Sequence, residues 1–203
     1  MEEQTRVKIC GLMRVEDIEA VNEEKPDFVG FIFAGKSRRR ITKEHAMTLR
    51  NLLDASIKAV GVFVNELPSI VAGYLEEGII DLAQLHGEED DIYIHNLRLQ
   101  TGQPLIQAFS IRGPQDIERA ERSSADYVLL DQGEGGSGTP FDWSLAEQMD
   151  RPYFLAGGLG PENVEEAVRR LHPFAVDLNS RLETNGAKDR EKIKECIRRI
   201  RHV

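Results

Sequence analysis

Short, nearly continuous apolar runs alternate along the chain with longer segments whose apolar residues recur every three or four positions. The runs are Val7–Cys10, Phe28–Phe33, Ile57–Val64, Ile80–Leu85, Pro104–Phe109, Asp126–Asp131, Tyr153–Ala156 and Phe174–Leu178. Most are rich in Val, Ile and Phe. Continuous apolarity predicts strands covered on both faces. The segments between them predict helices. Glu16–Glu24 sets Ile18 and Val21 three positions apart, with Asp17 in the first turn. Thr42 suits the cap of a helix through Met47, Leu49 and Leu53, Pro68 suits the first turn of the next, and Gly78 follows its end. Glu88–Leu99, Pro114–Arg122, Asp142–Gln148, Pro161–Leu171 and Asp189–Arg201 complete the series. The last carries Ile193, Ile197 and Ile200 on one face. Arg198, Arg199 and Arg201 lie near its C-terminus, where the helix dipole favours cations.

Eight strands and eight helices thus alternate strictly. The 203 residues give about 25 per unit, the tight end of the range for a closed (β/α)8 barrel. No Pro/Gly/Ser-rich linker breaks the chain, so residues 1–203 are expected to form one barrel domain. A doubly wound open sheet is the alternative. It rarely needs eight evenly spaced units, and no G-x-G-x-x-G fingerprint follows the first strand.

Composition narrows the function. With 26 Lys and Arg against 35 Asp and Glu, the formal charge is −9, which argues against nucleic acid or an anionic membrane as the main partner. The opening MEEQTRVKIC carries two glutamates and no apolar core of a signal peptide, and no stretch approaches the ~18 apolar residues of a membrane span. Cys10 and Cys196 are too isolated to suggest a disulfide scaffold or a zinc site, so a reducing, cytoplasmic setting is expected. No exposed apolar helix face stands out. A monomer is the expectation, with a homodimer as the alternative.

A barrel carries its chemistry at the C-terminal ends of its strands. There the chain places Lys8-Ile9-Cys10-Gly11, Ser37-Arg38-Arg39-Arg40, Val64-Asn65, Gln84-Leu85-His86-Gly87, Leu130-Asp131, Gly157-Gly158 and Asp177-Leu178-Asn179-Ser180-Arg181. The N-terminal ends show no comparable set. A free cysteine is commonly just a small core residue. At the end of a strand, with Lys8 or Arg39 near enough to lower its pKa, Cys10 is instead a candidate thiolate base. Asp131 follows three apolar residues, so its carboxyl must be paired, hydrogen-bonded or protonated; it is a loop cap or a general acid. Gly157-Gly158 precedes a helix and suits a phosphate site, to which Ser180 would add a hydroxyl. A lone Gly-Gly is usually only a turn. The Arg38–Arg40 run is either a solvated loop or a grip on a carboxylate or phosphate. His86 is a capping or substrate-side histidine. Asp177 either orients a substrate hydroxyl or forms a salt bridge in the mouth. Trp143 reads as an anchor for its helix, and Cys196 as packing. A glycine-rich loop, Gly133–Thr139, follows the sixth strand.

Taken in order, these motifs resemble the phosphoribosylanthranilate isomerase family of tryptophan biosynthesis. The resemblance spans essentially the whole chain. It rests on Lys8-Ile9-Cys10-Gly11, Ser37-x-Arg39, Gly61-Val62-Phe63-Val64-Asn65, Gln84-Leu85-His86-Gly87, Leu129-Leu130-Asp131, Gly135-Gly136-Ser137-Gly138-Thr139 with Phe141-Asp142-Trp143, Leu155-Ala156-Gly157-Gly158-Leu159, and Asp177 with Glu183 and Lys188-Asp189. It implies a (β/α)8 barrel without cofactor or metal, which converts N-(5-phosphoribosyl)anthranilate into 1-(2-carboxyphenylamino)-1-deoxyribulose 5-phosphate by an Amadori rearrangement. It further implies Asp131 as acid, Cys10 as base, Arg39 on the anthranilate carboxylate, and Gly157, Gly158, Asn179 and Ser180 around the phosphate.

Two departures qualify the carry-over. Arg38 and Arg40 flank Arg39 where the family has proline and an aromatic residue. Asn179-Ser180-Arg181 stands where it has Ser-Ser-Gly, so Arg181 either adds a phosphate contact or obstructs one. Other readings are a different phosphosugar barrel enzyme, of aldolase or epimerase type, or a non-catalytic phosphoribosyl-binding barrel. An aldolase needs a lysine at the C-terminal end of a strand, where neither Lys8 nor Lys58 lies.

Overall fold

The computed structural model describes residues 4–132 and 142–203. Eight parallel strands follow in chain order: β1 (Arg6–Cys10), β2 (Phe28–Ile32), β3 (Lys58–Phe63), β4 (Leu82–Leu85), β5 (Leu105–Ile111), β6 (Tyr127–Gln132), β7 (Tyr153–Leu155) and β8 (Ala175–Leu178). Each pairs with the next, and β8 returns to β1 with Lys8 opposite Asp177, which closes the barrel. Between and after the strands lie α1 (Val15–Glu24), α2 (Lys43–Leu52), α3 (Pro68–Glu76), α4 (Asp91–Arg98), α5 (Pro114–Glu121), α6 (Trp143–Ala146), α7 (Val164–Leu171) and α8 (Arg190–Arg201). This is the (β/α)8 architecture expected from the alternation.

The strands read as unbroken apolar runs because both of their faces are buried. Phe28, Val60, Leu82, Ile106, Leu129, Phe154 and Ala175 form one cluster, which fills the barrel. Their alternates, such as Ile9, Val29, Phe31, Ala83, Val128, Leu155 and Val176, join the larger cluster under the helices. Aromatic residues near the N-terminal ends of the strands make a floor. Tyr127 stacks on Phe174 at 4.7 Å, Phe28 meets Phe154 at 5.4 Å, and the Arg6 guanidinium lies 4.3 Å over Phe174. With that end filled, a ligand has access only from the C-terminal mouth.

Helix ends follow local chemistry. The Thr42 hydroxyl accepts from His45 N–H, and the Asp90 carboxylate accepts from Tyr93 N–H. Three helices are shorter than the periodicity predicts. Pro161–Asn163 form a turn ahead of α7, α4 starts at Asp91 because Asp90 caps it, and α6 spans only Trp143–Ala146. One element went unpredicted, a hairpin of β9 (Glu183–Thr184) and β10 (Ala187–Lys188) between β8 and α8. Its turn, Asn185-Gly186, has φ of 53° and 80°, the left-handed pair a tight hairpin needs.

Period-two alternation fixes which residues face the barrel axis near the mouth. Two positions beyond Phe28 comes Gly30, which pairs in register with Cys10. A Cβ on Gly30 would sit 2.6 Å from Cys10 Sγ, so glycine is required there to give the thiol its space. Gly30→Ala should therefore cost about 1–3 kcal/mol in urea unfolding, the usual range for overpacking. A Cys10→Ala background, which removes the sulfur, should recover most of that loss; an additive double-mutant cycle would contradict the assignment.

Candidate active site

The site grows from the last inward-facing positions of the strands. Cys10 ends β1, Asp131 lies two residues beyond the inward Leu129 on β6, and Asp177 lies two beyond Ala175 on β8. Lys8 sits one inward step below Cys10. Its ammonium is wholly buried and bonds Asp177 Oδ2 at 2.8 Å. Burial alone would lower the Lys8 pKa, but Asp177 and Cys10 together hold it above the ordinary lysine value.

Cys10 is buried beside Ile32 and Val62. Burial pushes its thiol above the usual pKa, and Lys8 opposes this without cancelling it. The sequence offered Lys8 or Arg39 as a cation that lowers the Cys10 pKa; Lys8 does act in that direction, but the net shift is upward. Of the two cations considered, Lys8 reaches it. Arg39 is engaged with Glu183, through its Nε and through Nη2 at 2.9 Å.

Across the mouth, His86 Nε2 lies 3.5 Å from Asp131 Oδ2. The Gln84 amide nitrogen lies 2.9 Å from His86 Nδ1 and orients the ring. Two loops hold His86 in place. Asn65, at φ 52°, accepts from Glu88 N–H through its side chain, and the buried Glu89 carboxylate accepts from the Asn65 and Gly87 N–H groups. Gly87 has no room for a Cβ, which would meet Asn65 Oδ1 at 2.5 Å.

Glu183 is a hub of positive partners. Its carboxylate takes Arg39, Arg38 (2.8 Å) and Lys188 (3.1 Å). Burial would raise its pKa, but the Arg39 and Lys188 contacts outweigh this and hold it below the usual glutamate value. Arg39 is mostly buried and Arg38 mostly exposed, so the central arginine of the run is the one fixed at the site. With Nε and Nη2 turned to Glu183, Arg39 keeps Nη1 for a ligand rather than the whole planar fork.

The anion-binding candidates come from the loops after β7 and β8. Gly157 and Gly158 have φ of 91° and 67°, so both need glycine. Asn163 pins this loop, its Oδ1 accepting from Gly160 N–H and its Nδ2 donating to the Gly158 carbonyl. After β8, the carbonyl and the side-chain oxygen of Asn179 both accept from Lys188, at 2.9 and 3.0 Å. Ser180 is exposed and opens a short 3-10 turn, Ser180–Leu182. Arg181 lies in that turn without a positive φ, so the backbone there has no need of glycine. Its guanidinium bonds Glu162 at 2.9 Å and thereby ties the two loops together.

Glu183, Lys188 and Gln84 hold the site residues, yet the sequence assigned them no role. The Asn185-Gly186 turn was the available signal for the first two, because it places them side by side on a hairpin. Trp143 packs against the outer core as expected, and Cys196 is fully buried. The Gly133–Thr139 loop and Phe141 lie outside the described residues. Among the described residues, no group of three or more His, Cys, Asp or Glu is placed to hold a metal ion, and no helix is long and apolar enough to cross a membrane.

A mouth offering a thiol, a carboxyl paired with histidine, a fixed arginine and two anion-suited loops can perform acid–base chemistry on a small anionic substrate. Comparison with known proteins leads to the same place. The family model for N-(5'-phosphoribosyl)anthranilate (PRA) isomerase matches residues 7–199. The N-(5'-phosphoribosyl)anthranilate isomerase of Endomicrobium trichonymphae is 44% identical over 202 residues, covering 98% of this chain and 99% of that one. The crystal structure of the phosphoribosyl anthranilate isomerase of Thermotoga maritima superposes with a TM-score of 0.90 at 36% identity, over 98% of this chain and all (100%) of that one. A phosphoribosyl anthranilate isomerase in complex with reduced 1-(o-carboxyphenylamino)-1-deoxyribulose 5-phosphate superposes with a TM-score of 0.86 at 35% identity, over 98% and 100% of the two chains. Matched from β1 to α8 in sequence, and over nearly its full length in structure, the chain belongs to the PRA isomerase family.

Proposed function

We propose that this isomerase rearranges N-(5-phosphoribosyl)anthranilate to 1-(2-carboxyphenylamino)-1-deoxyribulose 5-phosphate with Asp131 as acid and Cys10 as base. The observation that carries the reading is the placement of Cys10 and Asp131 at the inward C-terminal ends of β1 and β6, facing one mouth. The chemistry needs both groups on one substrate. Asp131 gives a proton to the furanose ring oxygen, the C1–O bond breaks, and a Schiff base forms between C1 and the anthranilate nitrogen. Cys10, as thiolate, then takes the proton from C2. The electron pair moves to the C1–C2 bond and neutralises the iminium nitrogen, which gives an enolamine. Tautomerisation transfers the C2 hydroxyl proton to C1 and leaves the ketone. Resetting the pair takes one proton off Cys10 and returns one to Asp131.

The remaining residues hold the substrate. Arg39, through Nη1, meets the anthranilate carboxylate. Asp177 contacts a sugar hydroxyl through Oδ1, which is buried and has no hydrogen-bond partner among the described residues. His86 steadies Asp131. The backbone N–H groups of Gly157 and Gly158 and the loop at Asn179 and Ser180 receive the phosphate. The Asn179 carbonyl and side-chain oxygens accept from Lys188, so its part is through the Nδ2 donor of the amide. No cofactor enters this scheme. The working unit in this reading is a single-domain monomer; a homodimer, the form reported for a Thermotoga maritima relative, is the alternative. Both cysteines are free, in keeping with a cytoplasmic location.

Three outcomes test the scheme, all read by the change in anthranilate fluorescence with substrate generated in situ. Cys10→Ser and Asp131→Asn should each lower kcat by at least about 100-fold, the contribution of a general acid or base, with unfolding midpoints close to wild type. Near-normal turnover in either variant removes that residue from the mechanism. Arg39→Ala should raise KM about tenfold or more, as expected from losing a charged hydrogen bond, while Arg38 and Lys188 still pair Glu183. An unchanged KM would place the carboxylate elsewhere. Arg181→Ala should shift KM by less than about threefold, because its pair with Glu162 is half-exposed and screened. A larger rise would make Arg181 a direct phosphate ligand.

A further inference from the structure

Among the described residues Lys8 is the largest fully buried polar side chain, and the scheme above gives it no task. Its place is set by alternation and register. On β1, Lys8 and Cys10 are consecutive inward residues, and Asp177 on β8 stands opposite Lys8 in the parallel pair. The ammonium therefore has a carboxylate beside it and a thiol above it. It bonds Asp177 Oδ2 at 2.8 Å, and its charge acts on the Cys10 thiol at the next inward position. Asp177 Oδ1, also buried, has no partner among the described residues.

We propose that Lys8 is the positioning residue of the base: fixed by Asp177 one inward step from Cys10, its ammonium holds the thiolate that Cys10 forms. The proposal rests on the reading of Cys10 as the base. In that step the S–H bond of Cys10 breaks and its proton leaves to water at the mouth. The ammonium and the Asp177 carboxylate keep their protonation, and the new negative charge on sulfur faces the Lys8 ammonium.

Burial raises the pKa of both Cys10 and Asp177, with Lys8 opposing in each case. Other charged groups face them. Lys188 acts on Cys10, with its own charge matched by Glu183, while Asp131 and His86 act on Asp177 from across the mouth. Lys8 differs from all of these in sharing the inward face of β1 with Cys10 while bonding Asp177.

The test is the pH profile of Cys10 alkylation by iodoacetamide in the substrate-free protein, followed by mass spectrometry. Lys8→Met should move the midpoint to higher pH, and alkylation near neutrality should slow about tenfold for every pH unit that the midpoint rises. Asp177→Asn, which leaves Lys8 to the thiolate alone, should move the midpoint down and speed alkylation by a similar factor. Should the unpaired carboxylate of Lys8→Met prevent folding, Lys8→Met/Asp177→Leu leaves no buried charge unpaired and should still titrate above wild type. A merely structural role would alter the plateau rate and leave the midpoint in place. An unmoved midpoint without Lys8, or an upward shift in Asp177→Asn, would overturn the proposal. Turnover by Cys10→Ala is a separate measurement. Wild-type turnover there ends the reading of Cys10 as base, whatever the alkylation profiles show about the cluster.

Discussion

An ammonium group sealed inside an apolar barrel is stable only when an opposite charge and further polar atoms meet it. Lys8 imposes that condition here. It requires Asp177 on the adjoining strand, in the register that closes β8 onto β1. It places a positive charge one inward step from Cys10. It also separates two regions of the interior. Below it, Phe28, Phe154 and their neighbours fill the barrel with apolar volume. Above it, the inward positions turn polar and the mouth begins.

A second set of charges works at the rim by similar logic. Glu183 draws Arg38, Arg39 and Lys188 together, and Lys188 in turn holds the loop at Asn179. The small hairpin of β9 and β10 thus connects the arginine after β2 with the loop after β8. Burial lowers the Lys188 pKa and Glu183 works against it, so this hub depends on mutual pairing rather than on water. The negative total charge of the chain coexists with these local cations because its carboxylates largely occupy the helical exterior, where Glu19, Glu23, Glu165 and Glu195 pair with arginines. An anionic substrate meets Arg39 and backbone N–H groups instead.

Sequence patterning carried the barrel, because eight doubly buried strands leave eight apolar runs that side-chain periodicity cannot hide. It carried the positions of Cys10, Asp131, Asp177 and Gly157-Gly158 for a related reason: where a strand leaves the core, the chain changes from apolar to polar within a residue or two. The states of those residues were less legible. Lys8 and Arg39 looked able to lower the Cys10 pKa, but desolvation is a property of the closed barrel and opposes Lys8 there. Arg39 looked free to offer a full fork, and only the fold brings Glu183, 144 positions later, onto two of its nitrogens. Gln84 was invisible as a partner of His86 because its role depends on which way an inward amide points. The β9–β10 hairpin was legible from Asn185-Gly186, but two-residue strands leave no apolar run to notice.

The central claim is that one mouth sets Cys10 against C2 and Asp131 against the ring oxygen of the same bound sugar. A crystal structure of this protein with the reduced product analogue tests it most directly. The account predicts Cys10 Sγ at about 3.5 Å from the C2 position, the separation of a reactive pair, with Asp131 within hydrogen-bond reach of the C4 oxygen and the carboxylate at Arg39. An analogue bound with its C2 turned away from Cys10, or with Asp131 against the carboxylate ring, would contradict it.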